Sequence, residues 1–482
     1  MSVLAGLEPQ SVFKYFEEIC GIPHGSSNTK QISDYLVKFA KERGLRYIQD
    51  EKNNVIIFKD GSRGYEKSKP VIIQGHIDMV CEKEKDCDID FEKEGLRLQC
   101  IDGVISAKGT TLGGDDGIAV AYAMAILDSD TIKHPPIEAV FTVDEEIGML
   151  GAEYIDCSPL QGRLMLNIDS EDEGELLVSC AGGATVKCVY ECKMEKREGT
   201  AVKICVSGLC GGHSGVEIDK GRANACQIIG RVLYELDGKT DYALKAVNGG
   251  MKDNAIPREA EAEIVISEAD MAKLEACVAD INNILSHEYS ETDGNIHLYV
   301  EKETSYDNMA MENESKRRVI AALFNMPCGV QKMSREIEGL VETSLNIGIL
   351  RTTGKTVSVV TSVRSSVGSE KTELIEKIES LAGVLGGSVS VSGNYPAWEY
   401  KKDSYLREVM TDIYMKMTGK SPKIEAIHAG VECGIFAGKL PGLDCVSFGP
   451  DIFDIHTTAE RMKADSVLRI WNYILKVLEA LV

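Results

Sequence analysis

Two adjacent carboxylates, Glu145 and Glu146, follow the apolar run Ile137–Val143 in PPIEAVFTVDEEIG, where a buried strand should end. Open α/β sheets bind ligands at such strand ends. Successive strand residues point to opposite sides, so one carboxylate could hold a metal ion while the other serves as a general base; a solvated acidic turn is the plainer alternative. His76 and Asp78 stand in VIIQGHIDMV just after another strand, where their side chains can share one side. A ligand imidazole needs a partner on its other ring nitrogen, and a carboxylate can supply it; a purely structural His–Asp pair fits the same spacing. In TTLGGDDGIAVA a glycine turn delivers Asp115 and Asp116 to the start of a helix, with no lysine after the glycines. Acidic side chains there would repel phosphate and suit a cation, with Asp116 also a candidate helix cap. Asp169 closes RLMLNID, with Glu171 two residues on, and His456 follows SFGPDIFDI far downstream. One is readable as an acidic strand end and the other as a core histidine. Together His76, Asp115, Glu146, Asp169 and His456 offer two imidazoles and three carboxylates, a set suited to two zinc or similar ions sharing one carboxylate.

Such a set needs a scaffold that gathers strand ends from both ends of the chain. From Ser11 to about Asp169 the pattern alternates helices (11–19, 29–43, 117–127) with strands (54–58, 70–74, 137–143, 163–168), which predicts a mainly parallel α/β sheet. Apolar strands such as VIIQ and AVFTV fit a sheet covered on both faces. Beyond Ala181 the texture changes to a β-α-β-β-α-β run over 202–300, followed by a similar order over 315–391, which suggests a duplicated small α+β module of ferredoxin-like type. From about Pro396 the α/β texture returns, with a helix at 404–417, the Gly-rich HAGVECG loop and a last helix at 464–481. The expected organisation is a discontinuous domain, 1–181 and 396–482, interrupted by an inserted domain at 182–395.

The chain has 482 residues, enough for two or three domains. Its 53 Lys plus Arg against 76 Asp plus Glu leave a net charge of -23, which opposes binding to nucleic acid or to anionic membranes and favours a small substrate or a cation. Fifteen scattered cysteines, an odd number, read as reduced thiols in a cytoplasmic protein; Cys188 and Cys192 lack zinc-ribbon spacing. No stretch approaches a membrane span, and the N-terminal residues lack the features of a signal peptide.

The motifs GHIDMV, LGGDDG, FTVDEEIGMLGA, NIDSE and the late histidine resemble the M20 metallopeptidases, and GHIDMVCEK, GGHSGVEIDKGRANA and HAGVECGIF resemble their aminoacyl-histidine dipeptidase branch. The resemblance runs over nearly the whole chain. It implies two divalent ions, zinc with cobalt or manganese as alternatives, with His76 on one ion, His456 on the other, Asp115 between them, and Glu146 and Asp169 each completing one site. It also implies that Asp78 orients His76, that Glu145 is the general base, and that the Asp115–Asp116 peptide bond is cis. In the insert, read as a lid, His213 in GGHSG matches the histidine that meets the scissile carbonyl oxygen, Asn254 in DNAIPRE the lid NxIP motif, and Arg364 in TSVRSS the arginine that takes the substrate carboxylate. The implied activity is hydrolysis of dipeptides, either Xaa-His or a broad range that includes β-Ala-His. A tripeptidase, an N-acyl amino acid deacylase and a catalytically silent binding module are the alternatives, and monomer and homodimer stay open. One departure stands out: TTAE follows His456 where the branch has Ser-Pro.

Overall fold

The computed structural model describes residues 2–302 and 308–481. The chain forms two compact units: the first runs from the N-terminal region to Ser179 and takes up Tyr400–Ala426 and the segment from Val431 onward, and the second is Cys180–Glu399 with Ile427–Gly430.

In the first unit the apolar runs become strands buried along their whole length, Val71–His76 and Ile137–Thr142. With Leu164–Asn167 and Asp444–Ser447 they make four parallel neighbours at the centre of an eight-stranded sheet. Both flanks are antiparallel: Val55–Lys59 and Arg46–Gln49 on one side, Glu175–Cys180 on the other. A parallel centre needs crossover helices. One of them, Gly114–Asp128, packs against strand Val71–His76 and helix Gln10–Cys20. It is apolar all round, as a helix covered on two sides must be. Asp115 and Asp116 at its start depart from helical geometry, and the peptide bond between them is cis, as the resemblance implied.

A second, four-stranded antiparallel sheet has no counterpart in the alternation pattern. It joins Leu98–Ile101, Val104–Ala107, Arg461–Lys463 and Ile452–Phe453. Its strands are two to four residues long, too short to show periodicity. The last two strands pair with each other, so His456 sits in a hairpin loop closed at both ends.

The second unit is built on one nine-stranded sheet whose neighbouring strands all run antiparallel. Thr200–Ser207, Tyr242–Gly249, Ala260–Ile266 and His297–Lys302, with helices Ala225–Asp237 and Met271–Glu288, form the first β-α-β-β-α-β module. The second module repeats the pattern with helices Asn313–Asn325 and Gly368–Val384 and strands Val341–Thr353, Thr356–Ser365 and Ser388–Tyr395, but its first strand is Gly182–Glu191. The whole first module is therefore inserted into the second, and a reading that takes modules in sequence order misses that opening strand. Gly249 opposite Leu350 joins the two halves. Ile427–Gly430, placed with the C-terminal α/β segment by the sequence, belongs with this unit because Ala181 N–H is bonded to the carbonyls of Ile427 and Ala429.

Among the described residues no helix is long and apolar enough to cross a membrane.

Candidate metal centre

The parallel strands of the first unit carry its chemistry at their C-terminal ends. His76 is the last residue of Val71–His76; Glu145 and Glu146 follow Ile137–Thr142, and Asp169 follows Leu164–Asn167. Beneath His76 the helix start presses close: a Cβ on Gly75 would lie 2.5 Å from Asp116 Oδ2 and 2.6 Å from Ala119 Cβ. Only glycine fits. Asp116, the candidate helix cap, makes no capping bond; its buried carboxyl accepts the His76 backbone N–H at 3.2 Å.

Asp115 lies between two imidazoles. Its Oδ1 is 3.0 Å from His76 Nε2 and its Oδ2 is 3.1 Å from His456 Nε2. His456 Nε2 also meets Glu146 Oε1 at 3.0 Å, and His76 Nε2 lies 3.5 Å from Asp169 Oδ1. His76 Nδ1 donates to the backbone carbonyl of Asp78 at 3.0 Å, with the Asp78 carboxylate farther off at 3.5 Å. A carbonyl can only accept, so Nδ1 carries a proton, which leaves Nε2 as the ring nitrogen that could face a cation. The Asp78 carboxylate instead accepts from the Glu145 backbone N–H (3.0 Å) and Ser26 Oγ (2.8 Å). It therefore fixes the backbone of the acid turn as much as the ring.

Acid outnumbers base here, and the pKa values record the strain of that imbalance. Burial, then Asp169, Glu432 and Glu146 against an opposing His76, pushes Glu145 up to about 9. Burial, then Asp115 and Asp169, pushes Glu171 to about 8. Asp169 and Glu146 are raised, burial again the largest cause. Hydrogen bonds to Asp115 and Glu146 lift His456 to about 10; for His76 burial opposes the charge, but Asp115, Asp169 and Asp78 outweigh it. Divalent cations would relieve this repulsion, and the donors are in place to hold them. The potential ligand atoms of Asp115, Glu146 and His456, of His76, Asp116 and Asp169, and of His76, Glu145 and Glu146 each fall within 4.8 Å of one another.

The remaining site candidates lie in the second unit. His213 pairs opposite Ala255, and Ser214 N–H is bonded to the Asn254 carbonyl, so the GGHSG and NAIP segments lie side by side. His213 Nδ1 accepts the backbone N–H groups of Gly215 (3.1 Å) and Val216 (3.2 Å), which puts the ring proton on Nε2 as a free donor. Burial and then Arg364 lower its pKa, keeping it neutral. Arg364 is 8% exposed, its Nη1 donates to Tyr395 OH at 3.2 Å, and its buried Nε has no hydrogen-bond partner among the described residues.

Three residues to which the sequence reading gave no role stand out. His428 of HAGVECG has Nε2 2.7 Å from Ser344 Oγ, and burial followed by Arg364 pushes its pKa down to about 3. Glu432, in the same motif, is fully buried in the first unit and accepts from Gln74 Nε2 (2.6 Å) and Thr142 Oγ1 (2.7 Å). Glu460, the acid of TTAE, is buried against the Asp115 loop. A titratable residue in a glycine-rich run was the available signal for His428 and Glu432; Glu460, in TTAERMK, carried none beyond its departure from the Ser-Pro pattern.

Imidazoles and carboxylates gathered at the strand ends of a covered α/β sheet are the hallmark of a metal-dependent hydrolase. The family model described as peptidase family M20/M25/M40 matches residues 72–480. Over 482 residues the chain is 36% identical to the cytosol non-specific dipeptidase of Escherichia coli K12, covering 99% of each. The crystal structure of aminoacylhistidine dipeptidase from Vibrio alginolyticus matches with a TM-score of 0.93 at 37% identity, over 99% of this chain and 98% of that one. Aminopeptidase PepT from Bacillus cereus, at a TM-score of 0.56 and 16% identity over 98% of this chain and 99% of that one, shares the fold. The chain belongs to the peptidase family M20/M25/M40, a metal-dependent family.

Proposed function

We propose that this peptidase hydrolyses unblocked dipeptides, Xaa-His substrates such as β-Ala-His among them, with two divalent cations at the strand-end cluster. The observation that carries this reading is the Asp115 carboxylate, which offers one oxygen toward His76 and the other toward His456. His76 and Asp169 would hold one cation and Glu146 and His456 the other, with Asp115 shared. Zinc is the first expectation, and cobalt or manganese suits the same N and O donors. Bound there, the cations supply Lewis acidity, polarising the peptide carbonyl and acidifying water.

Glu145 takes the proton from the attacking water and delivers it to the leaving amine. Its backbone N–H, bonded to the Asp78 carboxylate, anchors the turn that carries it beside the proposed ligands. From the second unit we assign His213 the developing oxyanion: a neutral ring with its proton on Nε2 is a donor that needs no reorganisation. Arg364 receives the substrate's C-terminal carboxylate, a role supported by a buried guanidinium with an unused Nε–H. Asn254 is assigned to the same substrate-binding surface, next to His213. The compartment we assign is the cytosol, after the name of the E. coli relative and in keeping with fifteen cysteines outside any disulfide.

The test is metal removal by chelation, stepwise return of Zn, Co or Mn, and a rate panel of Xaa-His and other dipeptides, tripeptides and N-acetyl amino acids. Restored turnover, fastest on dipeptides, supports the reading. Faster tripeptide or acetyl-substrate turnover would replace it with a tripeptidase or deacylase. A metal-loaded chain that turns over none of them would be a binding module.

A further inference from the structure

We infer that Glu460 is a positioning residue whose carboxylate latches the His456 hairpin onto the backbone amides preceding Asp115, so that it governs one of the two cation positions selectively. The inference rests on the two-cation reading above. Glu460 is 3% exposed. Its Oε2 accepts the N–H groups of Leu112 (2.7 Å) and Gly113 (3.2 Å), and its Oε1 accepts that of Gly114 (2.8 Å). Three successive amides converging on one carboxylate form an anion cradle, here filled by the protein's own side chain.

Glycines make the cradle possible. Gly113 has φ +66°, and a Cβ there would come within 2.9 Å of Met79 Sδ; a Cβ on Gly114 would stand 3.3 Å from Glu460 Oε1. The residue that follows the cradle is Asp115, and Glu460 lies one short turn beyond His456, with its own N–H bonded to the Thr457 carbonyl. The latch thus ties together the loops of the two residues that meet through Asp115 Oδ2 and His456 Nε2. The TTAE departure is in this respect no loss, because its glutamate is the part that reaches the Asp115 loop.

The two cation positions depend on this latch unequally. His76 and Asp169 are set by strands in the centre of the sheet, and Asp115 keeps its contact with His76 when the latch is gone. His456 stands on a loop, at φ +61° and with 45% of its side chain exposed. Loosening the latch releases His456 from Asp115 and Glu146. Groups that orient a metal ligand are typically worth roughly 10–100-fold in affinity.

The experiment is titration of the metal-free full chain with Zn(II), for wild type, Glu460→Gln and Glu460→Ala. Ions are counted by native mass spectrometry on the folded charge states alone, so partial unfolding of a variant does not enter the count. Affinities come from chelator competition. The expected result is two ions on wild type, and in Glu460→Gln one ion held within about two-fold of wild type and the other weakened roughly 10–100-fold, with Glu460→Ala at or beyond the larger value. Equal weakening of both ions, or no weakening, overturns the latch. A wild-type chain that binds fewer than two ions overturns the two-cation reading itself.

Discussion

His76 and His456 approach one carboxylate from opposite sides, and they are held in different ways. His76 ends a buried central strand; its backbone N–H is bound by Asp116, its ring Nδ1–H by the Asp78 carbonyl, and it is 1% exposed. His456 stands on a hairpin loop with a positive φ and a side chain 45% exposed. Sheet hydrogen bonds hold the strand that ends in His76, whereas His456 depends on a few loop contacts. On the two-cation proposal, one cation would meet prepared donors and the other donors that are easier to perturb.

The largest expected effect tests whether catalysis can be separated from both halves. Glu145→Ala should lower kcat by roughly 10²–10⁴-fold or more while both ions remain bound, checked by steady-state rates on a dipeptide beside metal analysis. Loss of an ion together with turnover would make Glu145 a ligand and erase its assignment as the base.

Next come the two imidazoles, compared without metal. His76→Ala removes one member of a buried charged cluster, a change that costs on the order of 3–5 kcal/mol, whereas His456→Ala on its exposed loop should cost under about 1 kcal/mol. Thermal unfolding in excess chelator measures both. Equal losses would show that the strand-built half is no more rigid than the loop-built half.

Smaller in size is the effect of saturating cations on wild type. Ligand at about 100 times its Kd stabilises by about 2.7 kcal/mol, and this increment should shrink in His456→Ala without vanishing, as read from unfolding midpoints with and without Zn(II). Complete loss of the increment would mean that neither cation binds alone.

The smallest expected effect extends the comparison to the second unit, where His213 keeps a free donor and His428 is locked to Ser344. Folded His428 titrates near 3 against an ordinary 6.5. Between those values the unfolded chain binds a proton that the native chain does not, so this group's contribution to stability is complete above pH 6.5 and falls as pH drops toward 3. From pH 7 to 5 the loss amounts to about 2 kcal/mol. Urea unfolding of His428→Gln should show a correspondingly shallower fall over that range; an unchanged slope would mean that His428 is not held neutral.

Much of the centre was legible along the chain because its residues sit at places that sequence marks well. Apolar runs end abruptly at His76, before Glu145, and at Asp169, and a glycine pair announces Asp115. The parallel centre of the sheet was legible for the same reason, since strands covered on both faces read as unbroken apolar runs. Other features left no local trace. The small sheet around Ile452–Phe453 and Arg461–Lys463 has strands too short for a period, and Gly182–Glu191 is separated from its own module by a complete second one. Asp116 looked like a helix cap because capping is the common fate of an acid at that position; its actual partner, the His76 amide, lies 40 positions earlier in the chain.

By itself the sequence determined which residues could bind cations, and the family likeness of its motifs determined the roles they could be expected to play. Residue type sets donor chemistry, and strand ends and glycine turns are local events written in neighbouring residues. Only the tertiary structure decided that the two oxygens of Asp115 face different imidazoles, that the Asp78 carboxylate holds the Glu145 backbone, and that Glu460 reaches the amides before Asp115. Each is a contact between segments far apart in the chain, and such contacts are set by how sheet, helix and hairpin pack rather than by any stretch of sequence.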